Sequence, residues 1–86
     1  MWRLSFNASA AKAFKKLDGH TQRSMKAKLL ELQALPDPSV LAKPLMHDLK
    51  GRYRLRVGSY RVIFSIDRDE VLILVVDLGP RDSVYD

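Results

Sequence analysis

The residues best suited to chemistry are basic side chains at alternate positions in the second half of the chain. The segment 50–64, KGRYRLRVGSYRVIF, contains five basic residues and no acidic one. Side chains alternate between the two faces of a β-strand, so this spacing predicts an arginine-rich face opposite an apolar face. Guanidinium groups are planar, permanently charged and able to bind a phosphate through two hydrogen bonds. The segment therefore predicts a phosphate-binding sheet surface, here called the arginine face, with the basic residues Lys50, Arg52, Arg54, Arg56 and Arg61.

The pair Gly58-Ser59 predicts a two-residue hairpin turn within this segment. Such a turn fixes the register of the two strands, so that Arg56 lies directly across from Arg61. Like charges that face each other across two strands are destabilising. Folding alone does not favour this arrangement, whereas the binding of a polyanion does.

RNA cleavage is a reaction that such a surface can support without a metal or a cofactor. The 2′-hydroxyl attacks the neighbouring phosphorus, so the protein has to align the attack, stabilise the extra negative charge and assist proton movement. Arginines suit the stabilising role, and a tyrosine ring can stack on an unpaired base. Arg81 and Tyr85 are further candidates for these roles. The sequence shows no conventional catalytic set and no metal-ligand cluster, so we expect neither metal nor cofactor.

Length and composition predict one small domain over residues 1–86. The net charge of +5 favours an acidic partner. The absence of cysteine excludes disulfides and thiolate metal sites. The amino terminus lacks the apolar stretch of a signal peptide, and the longest apolar run, 71–76, is too short to span a bilayer. We therefore expect a soluble, cytoplasmic protein.

Hydrophobic periodicity predicts the element order β-α-α-β-β-β. The two helices are joined by a short turn, so they should form a hairpin that packs on one face of an antiparallel sheet, which is an α+β fold. Residues 36–48 are predicted to form an ordered loop, and Gly79-Pro80 is predicted to end the last strand. The predicted elements are strands at about 2–6, 53–57, 60–66 and 71–78, and helices that end near Leu17 and Leu35.

The register of the last two strands predicts an apolar docking surface. If Ile66 pairs with Val71 across the acidic turn at 67–70, then Val71, Ile73 and Val75 face the helices. The residues between them then lie on the arginine face, where an aliphatic strip would be exposed. Exposed strips of this kind usually mark the binding site of a partner. The predicted strip consists of Ile63, Leu72, Leu74 and Val76.

These features together resemble the RelE/ParE superfamily of toxins from bacterial and archaeal toxin–antitoxin pairs. The resemblance covers essentially the whole chain, and it is carried by the element order, by LKGRYRLRVGSYRVIFSID and by the ending VVDLGPRDSVYD. It implies the microbial RNase-like RelE fold. It also implies the activity of the RelE branch, whose members bind the ribosomal A site and cut messenger RNA there, leaving a 2′,3′-cyclic phosphate and a 5′-hydroxyl. A cognate antitoxin with an acidic, amphipathic helix is implied as the partner that covers the aliphatic strip and neutralises the arginines.

The resemblance further implies roles for individual residues. Arg54 and Arg56 match basic residues that help to activate the 2′-hydroxyl, and Arg61 matches an arginine that stabilises the transition state. Arg81 matches the residue that protonates or shields the leaving 5′-oxygen, and Tyr85 matches the tyrosine that stacks on the messenger.

One departure from the superfamily concerns the general base. Several relatives have lysine on the first hairpin strand, where this chain has Arg54 and Arg56. Arginine stays protonated, so these two residues are expected to act electrostatically. Lys50 shares their face and could act as the base if the neighbouring arginines lower its pKa. Lys50 and Arg52 are otherwise expected to bind RNA.

Two alternatives remain open at this stage. ParE-type members of the same superfamily poison DNA gyrase by binding protein, and they generally lack the full arginine and tyrosine set. The presence of Arg61, Arg81 and Tyr85 together favours the RelE branch. A non-catalytic module that binds RNA or the ribosome is the second alternative, because binding and chemistry need the same arginines.

Overall fold

The structure is a computed structural model that describes residues 1–45 and 51–80. Of the predicted functional residues, Lys50, Arg81 and Tyr85 lie outside this part. The described elements, in chain order, are β1 (Arg3–Phe6), α1 (Ala8–Lys15), α2 (Gly19–Ala34), a 3₁₀ helix (Pro38–Leu41), β2 (Lys43–Pro44), β3 (Arg52–Val57), β4 (Tyr60–Asp67) and β5 (Leu72–Pro80).

The five strands form a single sheet in the order β1-β5-β4-β3-β2. The α+β class is confirmed, with both helices preceding the hairpins. The sheet differs from the prediction in containing a parallel pair and an additional short strand. β1 pairs with β5 in parallel, from Arg3 opposite Leu72 to Phe6 opposite Val75. The loop predicted over 36–48 contains the 3₁₀ helix and the two-residue strand β2, which pairs with β3.

Side-chain caps begin both helices. Asn7 Oδ1 accepts a hydrogen bond from the Ala10 N–H at 2.8 Å, and Asp18 Oδ1 accepts one from the Thr21 N–H at 2.8 Å. These bonds satisfy backbone donors that have no partner within a helix. α1 ends at Lys15, two residues before the predicted end at Leu17, and the chain enters α2 at Gly19. Neither helix of the described part is long and apolar enough to cross a membrane.

The hydrophobic core lies between the helices and one face of the sheet, as predicted. α2 contributes Met25, Leu29 and Leu32, all nearly or fully buried. The sheet contributes the apolar side chains of the predicted hairpin, and Tyr53 stacks on Phe64 with ring centroids 5.7 Å apart. The buried sheet residues of this core are Leu55, Val62, Phe64, Ile73, Val75 and Leu78.

A β-bulge in β5 changes which of its residues face the core. Phe64 is opposite Val75 but Ile63 is opposite Asp77, so Val76 is an extra residue. Asn7 accommodates this bulge, because its Nδ2 donates to the Val76 carbonyl at 3.1 Å.

The bulge corrects the prediction for the end of β5. Without the extra residue Leu78 would face Arg61, whereas in the structure Leu78 pairs with Val62 in the core. The strand also continues through Gly79 and Pro80, which were predicted to end it. They pair with the start of β4, Pro80 with Tyr60.

The predicted register at the start of β5 is also wrong in one respect. Ile66 pairs with Ile73, not with Val71. Val71 belongs to the turn, has a φ of 52° and is 43% exposed. The turn therefore comprises the four residues 68–71, one position later than the predicted turn at 67–70. Ile73 and Val75 nevertheless face the core, because a register shift from Val71 to Ile73 spans two residues and leaves both side chains on the predicted face.

Candidate functional site

The arginine face has the register that the two-residue turn predicts. Arg56 is directly opposite Arg61, Arg54 is opposite Ile63, and Arg52 is opposite Ser65. Direct cross-strand partners share one face of the sheet, so the guanidinium-bearing residues of β3 and β4 are brought together there. Lys43 joins them, because β2 places it opposite Arg54. The arginines of β3 share one face because they alternate with Tyr, Leu and Val. This alternation places the apolar side chains on the face that packs against the core and the arginines on the opposite face.

The arginines of this face differ in burial. Arg56 is exposed and Arg54 is half-buried, but Arg61 is only 6% exposed. The expectation that Arg61 forms part of an open surface is therefore wrong. A buried cation is less screened by water, so its field acts more strongly on a nearby phosphate. Its β5 partner is Gly79, which has no side chain of its own beside Arg61.

The bulge at Val76 also brings an acidic residue to the arginine face. Asp77 pairs with Ile63, in the same row as Arg54 and one row from Arg61. Its Oδ1 accepts a hydrogen bond from the Leu78 N–H at 2.9 Å. An unbroken β5 would have turned Asp77 towards the core, so the bulge is what places it on this face. Its negative charge offsets part of the repulsion among the arginines.

The aliphatic strip differs from its prediction as well. Ile63 is completely buried, so it is not an exposed docking residue. It lies in β4 between Arg54 and Asp77, at the centre of the sheet, where neighbours on both sides surround it. Leu72 and Leu74 are half-buried and do share the face of Ile63, whereas Val76 is the half-buried bulge residue.

An apolar groove that the sequence did not predict lies on the helical side of the molecule. It has a volume of about 410 Å³ and is called the helix groove here. Phe6 and Phe14 meet in it with ring centroids 5.6 Å apart. Leu30 is 58% exposed on its rim. The sequence signal was weak, since Leu30 lies beside the buried stripe of α2. The groove is lined by Leu4, Phe6, Ala11, Phe14, Lys15, Lys26, Leu29 and Leu30.

Some predicted site residues are not placed by the structure. Lys50, Arg81 and Tyr85 lie outside the described residues, so their relation to Arg61 stays a prediction. Within residues 1–45 and 51–80, no three His, Cys, Asp or Glu side chains come together as metal ligands would.

Comparison with known proteins shows similarity to RelE and ParE toxins. A family model for the ParE toxin of the type II toxin–antitoxin system parDE matches residues 4–85. The mRNA interferase toxin RelE of Escherichia coli is 30% identical over 81 residues, which are 92% of this chain and 82% of that protein. The solved complex of archaeal RelE and RelB from Pyrococcus horikoshii matches with a TM-score of 0.74 at 26% identity, over 96% of this chain and 98% of that one.

Toxin RelE of Mycobacterium tuberculosis is 35% identical over 51 residues, which are 59% of this chain. The chain spans about half the length of the curated relatives from that organism, 53% of toxin RelE and 56% of toxin RelG. The structural match confirms the predicted RelE-like α+β fold, although the sheet has five strands and not the four that were predicted.

Proposed function

The chain belongs to the RelE/ParE superfamily of toxins from type II toxin–antitoxin systems, and on this basis we propose that it cleaves messenger RNA in the ribosomal A site. The cleavage is an attack of the RNA 2′-hydroxyl on the adjacent phosphorus, and it takes place in the cytoplasm, where ribosomes translate. The observation that supports it most directly is the convergence of Arg54, Arg56 and Arg61 on one sheet face. The E. coli relative is an mRNA interferase by name.

Arg61 is the residue that stabilises the transition state in this proposal. The phosphorane carries one more negative charge than the phosphodiester, so a fixed cation beside it lowers the barrier. Arg61 is suited to this because burial in the central strand β4 restricts its side chain before RNA arrives. Arg56 is exposed and binds the RNA backbone first.

Proton transfer needs groups other than the β3 arginines. Arg54 and Arg56 remain protonated and contribute charge alone. We assign the removal of the 2′-hydroxyl proton to Lys50, protonation or shielding of the leaving 5′-oxygen to Arg81, and stacking of the messenger to Tyr85. No metal ion takes part in this scheme, because the RNA supplies its own nucleophile.

The partner that restrains the toxin is a cognate antitoxin, and the helix groove is suited to bind it. An apolar groove of about 410 Å³ can hold the apolar side of an amphipathic helix. Lys15 and Lys26 on its rim attract acidic residues of the same partner. The half-buried Leu72, Leu74 and Val76 supply a second, smaller contact. The P. horikoshii relative was solved in complex with RelB.

Gyrase inhibition is the second candidate function, because the matching family model describes a ParE toxin. The gyrase poisons of this superfamily act by binding protein, so they have no need of a transition-state arginine. The retention of Arg61, buried at the centre of the arginine face, favours the RNA-cleaving alternative. A non-catalytic RNA-binding module would also keep the arginines but would leave the messenger intact.

The deciding experiment incubates the purified chain with ribosomes that carry a defined messenger and an empty A site. Primer extension then maps the RNA ends. We expect cuts within the A-site codon that have 5′-hydroxyl ends and that are absent without ribosomes. An intact messenger would reject the proposal, and a DNA supercoiling assay with gyrase would then test the ParE alternative.

A further inference from the structure

A second concave site lies at the sheet edge formed by β2 and β3, and it is called the edge notch here. Its volume is about 440 Å³, and four cationic side chains from three elements line it without any acidic residue. Lys28 comes from α2, Lys43 from β2, and Arg54 and Arg56 from β3. The end of the 3₁₀ helix supplies an apolar wall.

The edge notch exists because β2 is much shorter than β3. In the described residues β2 pairs only with Tyr53 and Arg54, and next to this pair the Leu45 N–H donates to the Arg52 carbonyl at 2.8 Å. Alternate residues of an antiparallel strand direct their N–H and C=O groups to the same side. The N–H of Arg56 therefore points to the sheet edge beyond the end of β2. A ligand in the notch meets a backbone donor as well as the cationic side chains.

Lys28 is available to a ligand because its present partner is weakly held. Its Nζ lies 3.5 Å from Glu31 Oε2, with the two side chains 35% and 54% exposed. Exposed ion pairs of this kind contribute little to stability. A phosphate in the notch can therefore compete with Glu31 for Lys28.

We infer that the edge notch binds a phosphodiester of an RNA strand that continues from the arginine face around the sheet edge. Arg54 and Arg56 line the notch and belong to the arginine face, so the two positive surfaces are continuous. Contacts with phosphates supply most of the affinity for nucleic acids, and a concave cluster of cations is what such a contact needs. The inference rests on the proposed function for its biological setting, but RNA binding is measured without cleavage.

The test measures binding of a short, fluorescently labelled single-stranded RNA by anisotropy. Lys28→Gln should weaken binding roughly three- to tenfold and reduce the slope of log K against log salt by about 0.7, as expected for one lost phosphate contact. Lys26→Gln is the matched control, because it removes the same charge from the same helix but lines the helix groove. It should leave RNA binding unchanged. Glu31→Gln should strengthen binding, because it releases Lys28.

The pattern across the variants distinguishes a phosphate contact in the edge notch from a general effect of charge and from an antitoxin site. Equal losses for Lys28→Gln and Lys26→Gln would mean that only overall charge matters, and they would overturn the inference. An effect of Lys28→Gln on antitoxin binding alone would assign the notch to that partner and would also overturn it. If Lys28→Gln specifically weakens RNA binding but the chain does not cleave messenger on ribosomes, the proposed function is rejected and the edge notch remains an RNA-binding site. Binding to ribosomes with and without messenger then identifies which RNA supplies the strand.

Discussion

Arg56 of β3 and Arg61 of β4 are direct cross-strand partners, and the first is exposed while the second is buried. Two like charges in this position destabilise the sheet, and burial of one of them increases the effect. A chain selected for stability alone would place an apolar or acidic residue at one of these positions. The pair therefore supports the proposal that this sheet face binds a polyanion.

Replacing Arg56 should stabilise the fold and weaken function. Arg56→Thr should raise the free energy of unfolding by about 0.2–1 kcal/mol, because it removes the repulsion and introduces a residue that favours strands. Urea denaturation measures this change. Arg52→Thr is the matched control, since Arg52 faces Ser65. Equal stabilisation by both variants would contradict an effect of the Arg56–Arg61 repulsion. RNA binding should fall for Arg56→Thr.

Arg81→Ala should separate cleavage from binding. We expect the rate of messenger cleavage to fall by roughly 10²–10⁴, the usual range for the loss of acid–base assistance, while ribosome binding largely survives. Single-turnover cleavage and ribosome pelleting measure the two quantities. If cleavage and binding fall in parallel, Arg81 acts in binding and its assigned role at the 5′-oxygen is wrong.

Leu30→Asp should weaken the antitoxin complex. Leu30 is 58% exposed at the helix groove, and full burial of a leucine contributes about 1.5–3 kcal/mol, so its loss should reduce affinity at least about tenfold. Calorimetric titration with the cognate antitoxin measures the change. Val40→Asp is the control, since Val40 is 73% exposed but lines the edge notch. A larger effect for Leu74→Asp than for Leu30→Asp would move the main contact to the aliphatic strip.

Asp18 should contribute to a loss of stability in acid. The hydroxyl of Thr21, followed by its backbone N–H, holds the pKa of the Asp18 carboxyl below its ordinary value of 3.8. The unfolded chain then binds the proton more readily than the folded chain. The stability that the ionised Asp18 contributes is therefore complete above about pH 4 and is lost as the pH falls through the lower folded pKa. Asp18→Asn keeps a good cap and should flatten the dependence of unfolding free energy on pH below 4. Thr21→Val, which keeps the backbone donor, should flatten it less. An unchanged curve for Asp18→Asn would contradict the assignment.

Val71→Asn should stabilise the turn between β4 and β5. Val71 has a φ of 52°, which is unfavourable for a β-branched residue and costs about 1–3 kcal/mol, whereas asparagine tolerates it. Val71 is 43% exposed, so little apolar burial is lost. We expect the free energy of unfolding to rise by about 1 kcal/mol in urea denaturation. Val40→Asn, at an exposed valine without a positive φ, should give no such gain.

The arginine face was predictable because a two-residue turn and strict alternation fix both register and facing. The core side of the hairpin followed for the same reason, and the spacing of Met25, Leu29 and Leu32 puts all three on one face of a helix. These patterns are local. Each involves only the residues of one helix, of one strand or of one tight turn.

The features that sequence reasoning missed depend on contacts between distant segments. The aliphatic run at 71–76 has no polar alternation, so it gives no sign of the bulge at Val76 or of the position of Asp77. The alternation in β1 identifies a strand but not its neighbour, so the parallel pairing with β5 was not predictable. β2 has two residues, one of them Pro44, which is too short to show a period.

The pairing of β1 with β5 has a consequence for how the chain is made. Because Arg3 pairs with Leu72, β1 stays without its sheet partner until β5 has been synthesised. β4 likewise keeps one open edge until β5 arrives. A product of interrupted synthesis that ends before β5 therefore has neither a complete core nor a fixed position for Arg61. The arginine face is therefore complete only after β5 has joined the sheet.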